Sequence, residues 1–218
     1  MAKTASQATE WAAQKIASMG QVHGVEVLDS NAIRVTREPH APFVAGIVSF
    51  NVVTRDGLKP LWAGALKPEM AVNLPKIGVW TAEAIAFAAD QGASFGGISD
   101  LMIAVGREET VPNYVNREYT FVERGMHQHS RVLRVERVWD RVYKVSRRDL
   151  SELTVAFLNE YELTAERVRD ARTRYGQFDT IVMTNPNGRA TSRATEVATQ
   201  IGAPILDWGG FLGRLNRK

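Results

Sequence analysis

The chain contains no cysteine. That removes disulfides, thiolate-bound zinc and cysteine nucleophiles together. Long apolar runs are also missing: nothing approaches the roughly 20 residues that cross a bilayer, so no membrane partner is expected. The opening MAKTASQATEW lacks the apolar segment of a secretory signal, which makes the cytoplasm the expected compartment. No Walker A sequence and no nucleophile-elbow pattern occur, and GASFGG precedes a predicted strand instead of following one, so it is not a dinucleotide fingerprint. No low-complexity tract and no internal repeat are visible in the letters.

What remains is an ordinary globular composition. The 218 residues are 44% apolar and 23% charged, enough to bury a sizeable core. The net charge is +3 and unevenly spread. Between Arg131 and Arg148 seven cations (Arg131, Arg134, Arg137, Arg141, Lys144, Arg147, Arg148) face only Glu136 and Asp140, a local +5. Such a strip suits phosphate contacts. It equally suits a solvated face whose arginines pair with acids elsewhere in the fold.

Periodicity divides the chain. TASQATEWAAQKIASMG reads as a helix capped by Thr4 or Ser6 and stopped at Gly20. VEVLDSNAIRVTR alternates about an Asp29-Ser30-Asn31 turn, as a hairpin does, and FVAGIVSFNVV is a further strand before the turn TRDGL. Residues 1–76 thus read as a β-rich portion: one helix plus a small antiparallel sheet. Beyond it, TAEAIAFAADQG is a helix capped by Thr81 and ended by Gly92. ISDLMIAVG and EYTFVERG read as strands. In RVLRVERVWDRVYKV, valines 132, 135, 138, 142 and 145 recur at helical spacing, which outweighs their strand preference, and SELTVAFLNEYE also reads as a helix. The remainder alternates: a helix from Thr164 to Gly176, the strand FDTIVMTN, the helix TSRATEVATQIG, the strand PILDW and a closing helix FLGRLNR. That alternation implies parallel strands wrapped by helices. The fold class is α/β (α+β overall).

The run TIVMTN followed by TSRATEVATQIGAPILDWGGFLGRL resembles the closing section of Mrr-like members of the restriction-endonuclease, PD-(D/E)XK, superfamily. The resemblance implies that residues 77–218 form a nuclease-like mixed sheet flanked by helices. It implies an aspartate on one strand and an acid-x-lysine pair on the next, holding Mg²⁺ for phosphodiester hydrolysis in restriction, repair or antiviral defence. By placement Asp100 stands for the first acid, Glu123 for the second, and Arg124 for the group that steadies the phosphate. No acid-x-lysine occurs there, and arginine does not replace a lysine that orients water.

Nucleic acid is the partner this reading implies, through Arg131, Arg134, Arg137, Arg141, Lys144 and Arg148. Asn185, Asn187 and Arg189 stand at a strand end where parallel α/β sheets gather ligands. Asn-Pro and Asn-Gly are also plain turn formers. His127 and His129 lack a third metal ligand. Two other readings stand beside the nuclease: an inactive module that binds nucleic acid or a nucleotide, and an interaction subunit with a protein partner or a second copy, using Trp139 and Tyr143.

Overall fold

The first helix, α1 (Ala5–Ala17), leads into three antiparallel strands, β1 (Val22–Asp29), β2 (Ala32–Arg37) and β3 (Phe43–Val48). A short strand β4 (Val52–Val53) and a one-turn helix α2 (Arg55–Leu58), capped by the Thr54 hydroxyl, replace the Asp-Gly turn expected at TRDGL. Then come β5 (Met70–Asn73), β6 (Val79–Trp80), α3 (Ala82–Asp90), β7 (Ser94–Gly97) and α4 (Ile98–Arg107). Strands β5 and β7 add parallel to β3, so one sheet runs β1-β2-β3-β5-β7. Ile16 of α1 and Leu101 and Ala104 of α4 pack on one face; Leu58, Ala84 and Ala88 of α2 and α3 pack on the other.

This computed structural model describes residues 5–217, which leaves the expected cap Thr4 outside the described residues. It divides the chain into Met1–Asn116 and Arg117–Lys218. The boundary expected at 76 is therefore moved. Residues beyond 76 supply β7, the last strand of the first sheet, and α4, which covers that sheet, and neither can be separated from it.

The second unit repeats the first. Its elements are α5 (Arg117–His127), β8 (Val132–Trp139), β9 (Val142–Arg147), β10 (Leu150–Leu158), β11 (Glu162–Leu163), α6 (Ala165–Tyr175), β12 (Thr180–Met183), β13 (Arg189–Ala190), α7 (Ser192–Gln200), β14 (Ile205–Leu206) and α8 (Trp208–Arg214). The sheet order β14-β12-β10-β9-β8 matches the first sheet, strand for strand. The spacing is constant: β1 starts at Val22 and β8 at Val132, an offset of 132 − 22 = 110, and the ladders keep it. Val22 pairs with Arg37 and Val132 with Arg147; Ala45 pairs with Met70 and Val155 with Thr180. Both hairpins are bulged at the same two places. The repeat not visible in the letters is thus present in the fold, and it rests on a few shared positions. Thr54 and Thr164, and Thr81 and Thr191, cap matching helices. Gly92 and Gly202 take the same left-handed conformation after α3 and α7 (φ 70° and 72°).

Four expected elements change type. Residues 131–148 form the hairpin β8–β9, not a helix. The bulge between Val132 and Arg134 adds a residue, so Val132 and Val135 share a face three residues apart; the other intervals join valines of opposite faces or cross the turn at Asp140–Arg141. Val132, Val135 and Val145 face one core, whereas Val138 and Val142 face the other. SELTVAFL lies in the central strand β10, whose last four residues, 155–158, are buried on both faces, which accounts for the apolar run VAFL. ISDLMIAVG and EYTFVERG are the helices α4 and α5, whose buried residues are Leu101, Ala104 and Val105, and Val122 and Met126.

Candidate functional site

In the second sheet β10, β12 and β14 run parallel, and β9 begins where they end. The Asp140–Arg141 turn, Thr184, Asn185 and Asp207 therefore gather at one edge of that sheet, the edge where parallel α/β sheets receive ligands. The first turn of α5 reaches the same edge: Arg141 Nη1 donates to Glu118 Oε1 at 2.7 Å, and the Thr184 hydroxyl donates to the same oxygen.

The contacts continue inward as a network. Arg137 Nη2 donates to Glu123 Oε1, which also accepts from the Tyr143 hydroxyl at 3.1 Å. The Arg137 guanidinium lies 4.8 Å from the Tyr119 ring and 5.1 Å from Tyr143, and Arg141 lies 5.6 Å from Tyr119. Tyr175 donates to the buried Asp140. Burial works against the charge on Arg141, but Tyr119, Glu118 and Asp140 outweigh it and hold the guanidinium above its ordinary pKa. Arg137 is likewise raised, burial being outweighed by Tyr143, Glu123 and Tyr119. Burial raises the Tyr143 phenol against the pull of Arg137, and burial with Asp140 raises Tyr175.

The first unit shows that the fold does not need this network. At the same offset Ala8 stands for Glu118, Thr9 for Tyr119, Ala13 for Glu123, Val27 for Arg137, Asn31 for Arg141, Ile33 for Tyr143 and Leu74 for Thr184. A hollow of about 220 Å³ lined by Ala8, Asn31, Val48, Phe50 and Gly57 lies among these positions.

Beside the network, an open cleft of about 460 Å³ is lined by Phe121, Thr184, Asn185, Gly188, Asp207 and Trp208. Phe121 is 49% exposed and tilts against Trp208, 4.6 Å between ring centroids. Along α5, Arg117, Phe121 and Arg124 recur at i, i+4 and i+7 and share one face. All three are exposed, and neither arginine forms an ion pair among the described residues. Arg117, Phe121 and Trp208 are absent from the sequence-based site. Their helical spacing was the available signal, and reading EYTFVERG as a strand hides it.

The sequence-predicted residues go elsewhere. Asp100 is in the first turn of α4, where one oxygen accepts from Gly97 N–H at 2.9 Å and the other from the Tyr114 hydroxyl at 2.6 Å and Asn116 Nδ2 at 2.8 Å. It caps a helix in the first unit, while Glu123 serves Arg137 and Tyr143 in the second. Neither unit alone holds both acids; both Asp100 oxygens and Glu123 Oε1 accept hydrogen bonds from neighbouring side chains or backbone. Among the described residues no group of three or more His, Asp or Glu side chains is placed to hold a metal ion. Arg124 lies on the surface of α5 and not on a strand beside a catalytic acid.

The basic strip is dispersed. Arg147 is buried and donates to the carbonyls of Ser151, Arg214 and Arg217, closing the end of α8. Arg37 does the same for α4 through Ala104, Val105 and Glu109. Arg134 pairs with Glu136 at 3.1 Å, Lys144 with Glu152 at 3.9 Å and Arg131 with Asp149 at 4.0 Å. Arg148 is exposed. The Asn185 corner is a turn: its Oδ1 accepts from Asn187 N–H at 3.0 Å, and Arg189 lies 3.4 Å from Glu162. Asn185 still lines the cleft.

No protein-family model, curated protein or solved structure matches the chain.

Proposed function

We propose that this chain binds nucleic acid through its second unit and does not cut it. One observation carries the reading. Two copies of one fold carry opposite charge: residues 1–116 have 9 Lys and Arg against 11 Asp and Glu, net −2, and residues 117–218 have 18 against 13, net +5. Since the fold is the same, the excess is not a requirement of folding. It lies on the unit that also carries the cleft, with Arg117, Arg124, Arg148 and Arg169 exposed and outside any ion pair among the described residues. The resemblance of the closing segment to restriction-endonuclease-like domains supports a nucleic-acid ligand. The commitment of Asp100 and Glu123 to structural partners supports binding without hydrolysis.

The test is fluorescence anisotropy with labelled single-stranded and duplex oligonucleotides over a salt series, with a parallel cutting assay in Mg²⁺. Binding should fall with salt. Three neutralised phosphates give a log–log slope of about −2 on a single strand. Cutting that requires Mg²⁺ and is lost in Asp100→Ala would overturn the non-hydrolytic reading. Salt-insensitive or absent binding would overturn the nucleic-acid reading and favour a protein partner.

A further inference from the structure

We infer that the stripe Arg117–Phe121–Arg124 and the cleft beside it form a stacking site for one base of a single strand. The inference rests on the nucleic-acid reading and assigns it a location. Phe121 presents half its surface to solvent beside a cleft lined by Thr184, Asn185 and Asp207, so a planar group stacked on the ring meets polar atoms at its edge. The Asn185 amide fixes its turn through Oδ1, which leaves Nδ2 as a donor for that edge. The flanking arginines sit one turn before and one turn after Phe121, about 10 Å apart along the axis, which suits the phosphates on either side of the stacked nucleotide. Paired bases in a duplex do not expose a face for this contact, whereas every unpaired base does.

The first unit supplies an internal comparison. The corresponding stripe is Gln7–Trp11–Gln14: an exposed aromatic is retained, and both cations are gone. Leu74, Pro75 and Gly97 replace Thr184, Asn185 and Asp207, so the polar edge is gone as well. Stacking surface without charge or polar edge is not a site for a nucleotide, and the binding is assigned to the second unit alone.

Anisotropy with a short labelled oligothymidine against the full chain tests this. Phe121→Ala should weaken binding about tenfold or more, the usual effect of removing one stacked base contact. Phe121→Trp should retain it, and Trp11→Ala should leave it unchanged. Arg117→Gln with Arg124→Gln, at exposed positions the core does not use, should make the salt slope shallower by about 1.4. Wild-type affinity and slope in both the Phe121→Ala and the double-arginine variants would overturn the site while leaving nucleic-acid binding in place. No binding by the wild type would overturn both. Preference for duplex over single strand would also overturn the stacking site.

Discussion

Replacing Arg141 by asparagine, the residue at the matching position of the first unit, removes the cation from Glu118, whose side chain is only 11% exposed. Breaking one member of a buried pair costs about 3–5 kcal/mol because the remaining charge is stranded. Arg141 is a quarter exposed, so water enters on its removal and the lower end, about 3 kcal/mol, is expected. Glu118→Ala strands the better solvated Arg141 and the Thr184 hydroxyl and should cost about 2 kcal/mol. Making both changes installs the Ala8 and Asn31 of the first unit. No stranded charge remains, and the loss reduces to packing around a small hollow, about 2 kcal/mol. The double-mutant cycle then gives a coupling of about 3 kcal/mol. Amide exchange of β9 and β10 read by mass spectrometry isolates the second unit within the full chain. Single costs that add up to the double cost within about 0.5 kcal/mol would mean that Arg141 and Glu118 do not act as a coupled pair.

Arg37→Met and Arg147→Met should each destabilise their own unit by about 3 kcal/mol, since each removes several charge-assisted bonds from a helix end; exchange of α4 and α8 amides measures this. Tyr143 and Tyr175 have raised phenol pKa values in the folded chain. Their stabilising share is complete below about pH 10, where the unfolded phenol titrates, and is lost as the pH rises beyond it. Stability of the second unit in alkaline urea titrations should therefore fall above about pH 10, and Tyr143→Phe should shallow that fall.

Much of the fold is legible in the sequence where one local rule acts alone. The hairpin at 22–37 follows from alternation about Asp29-Ser30-Asn31, and Thr81, Thr164 and Gly92 mark their helices correctly. Legibility fails where tertiary context sets the pattern. The bulge after Val132 sets two same-face valines three residues apart, and burial of both faces over Val155–Leu158 removes alternation there. Once α4 and α5 are taken for strands, Asp100 and Glu123 move onto imagined strand ends and the Arg117–Phe121–Arg124 face disappears. The repeat escapes for a related reason. At α4 the cap is Gly97 and the carboxylate comes from Asp100; at α8 the cap is Asp207 and the donor is Gly210. One helix start is satisfied both times, with the acid and the glycine exchanged, and letters compared position by position register two mismatches.

The unbroken offset of 110 between the halves has a practical corollary. A splice made at matched points, for instance after Val48 or after Leu158, leaves all flanking ladders in step because no loop has to be lengthened or cut. A moved segment keeps its place in the ladders but loses the polar partners of its buried side chains. Transplanting 117–127 in place of 7–17 carries Arg117, Phe121 and Arg124 onto the first unit only if Glu118 and Glu123 are made alanine, as at the buried Ala8 and Ala13, because Val27, Asn31 and Ile33 offer neither acid a cation.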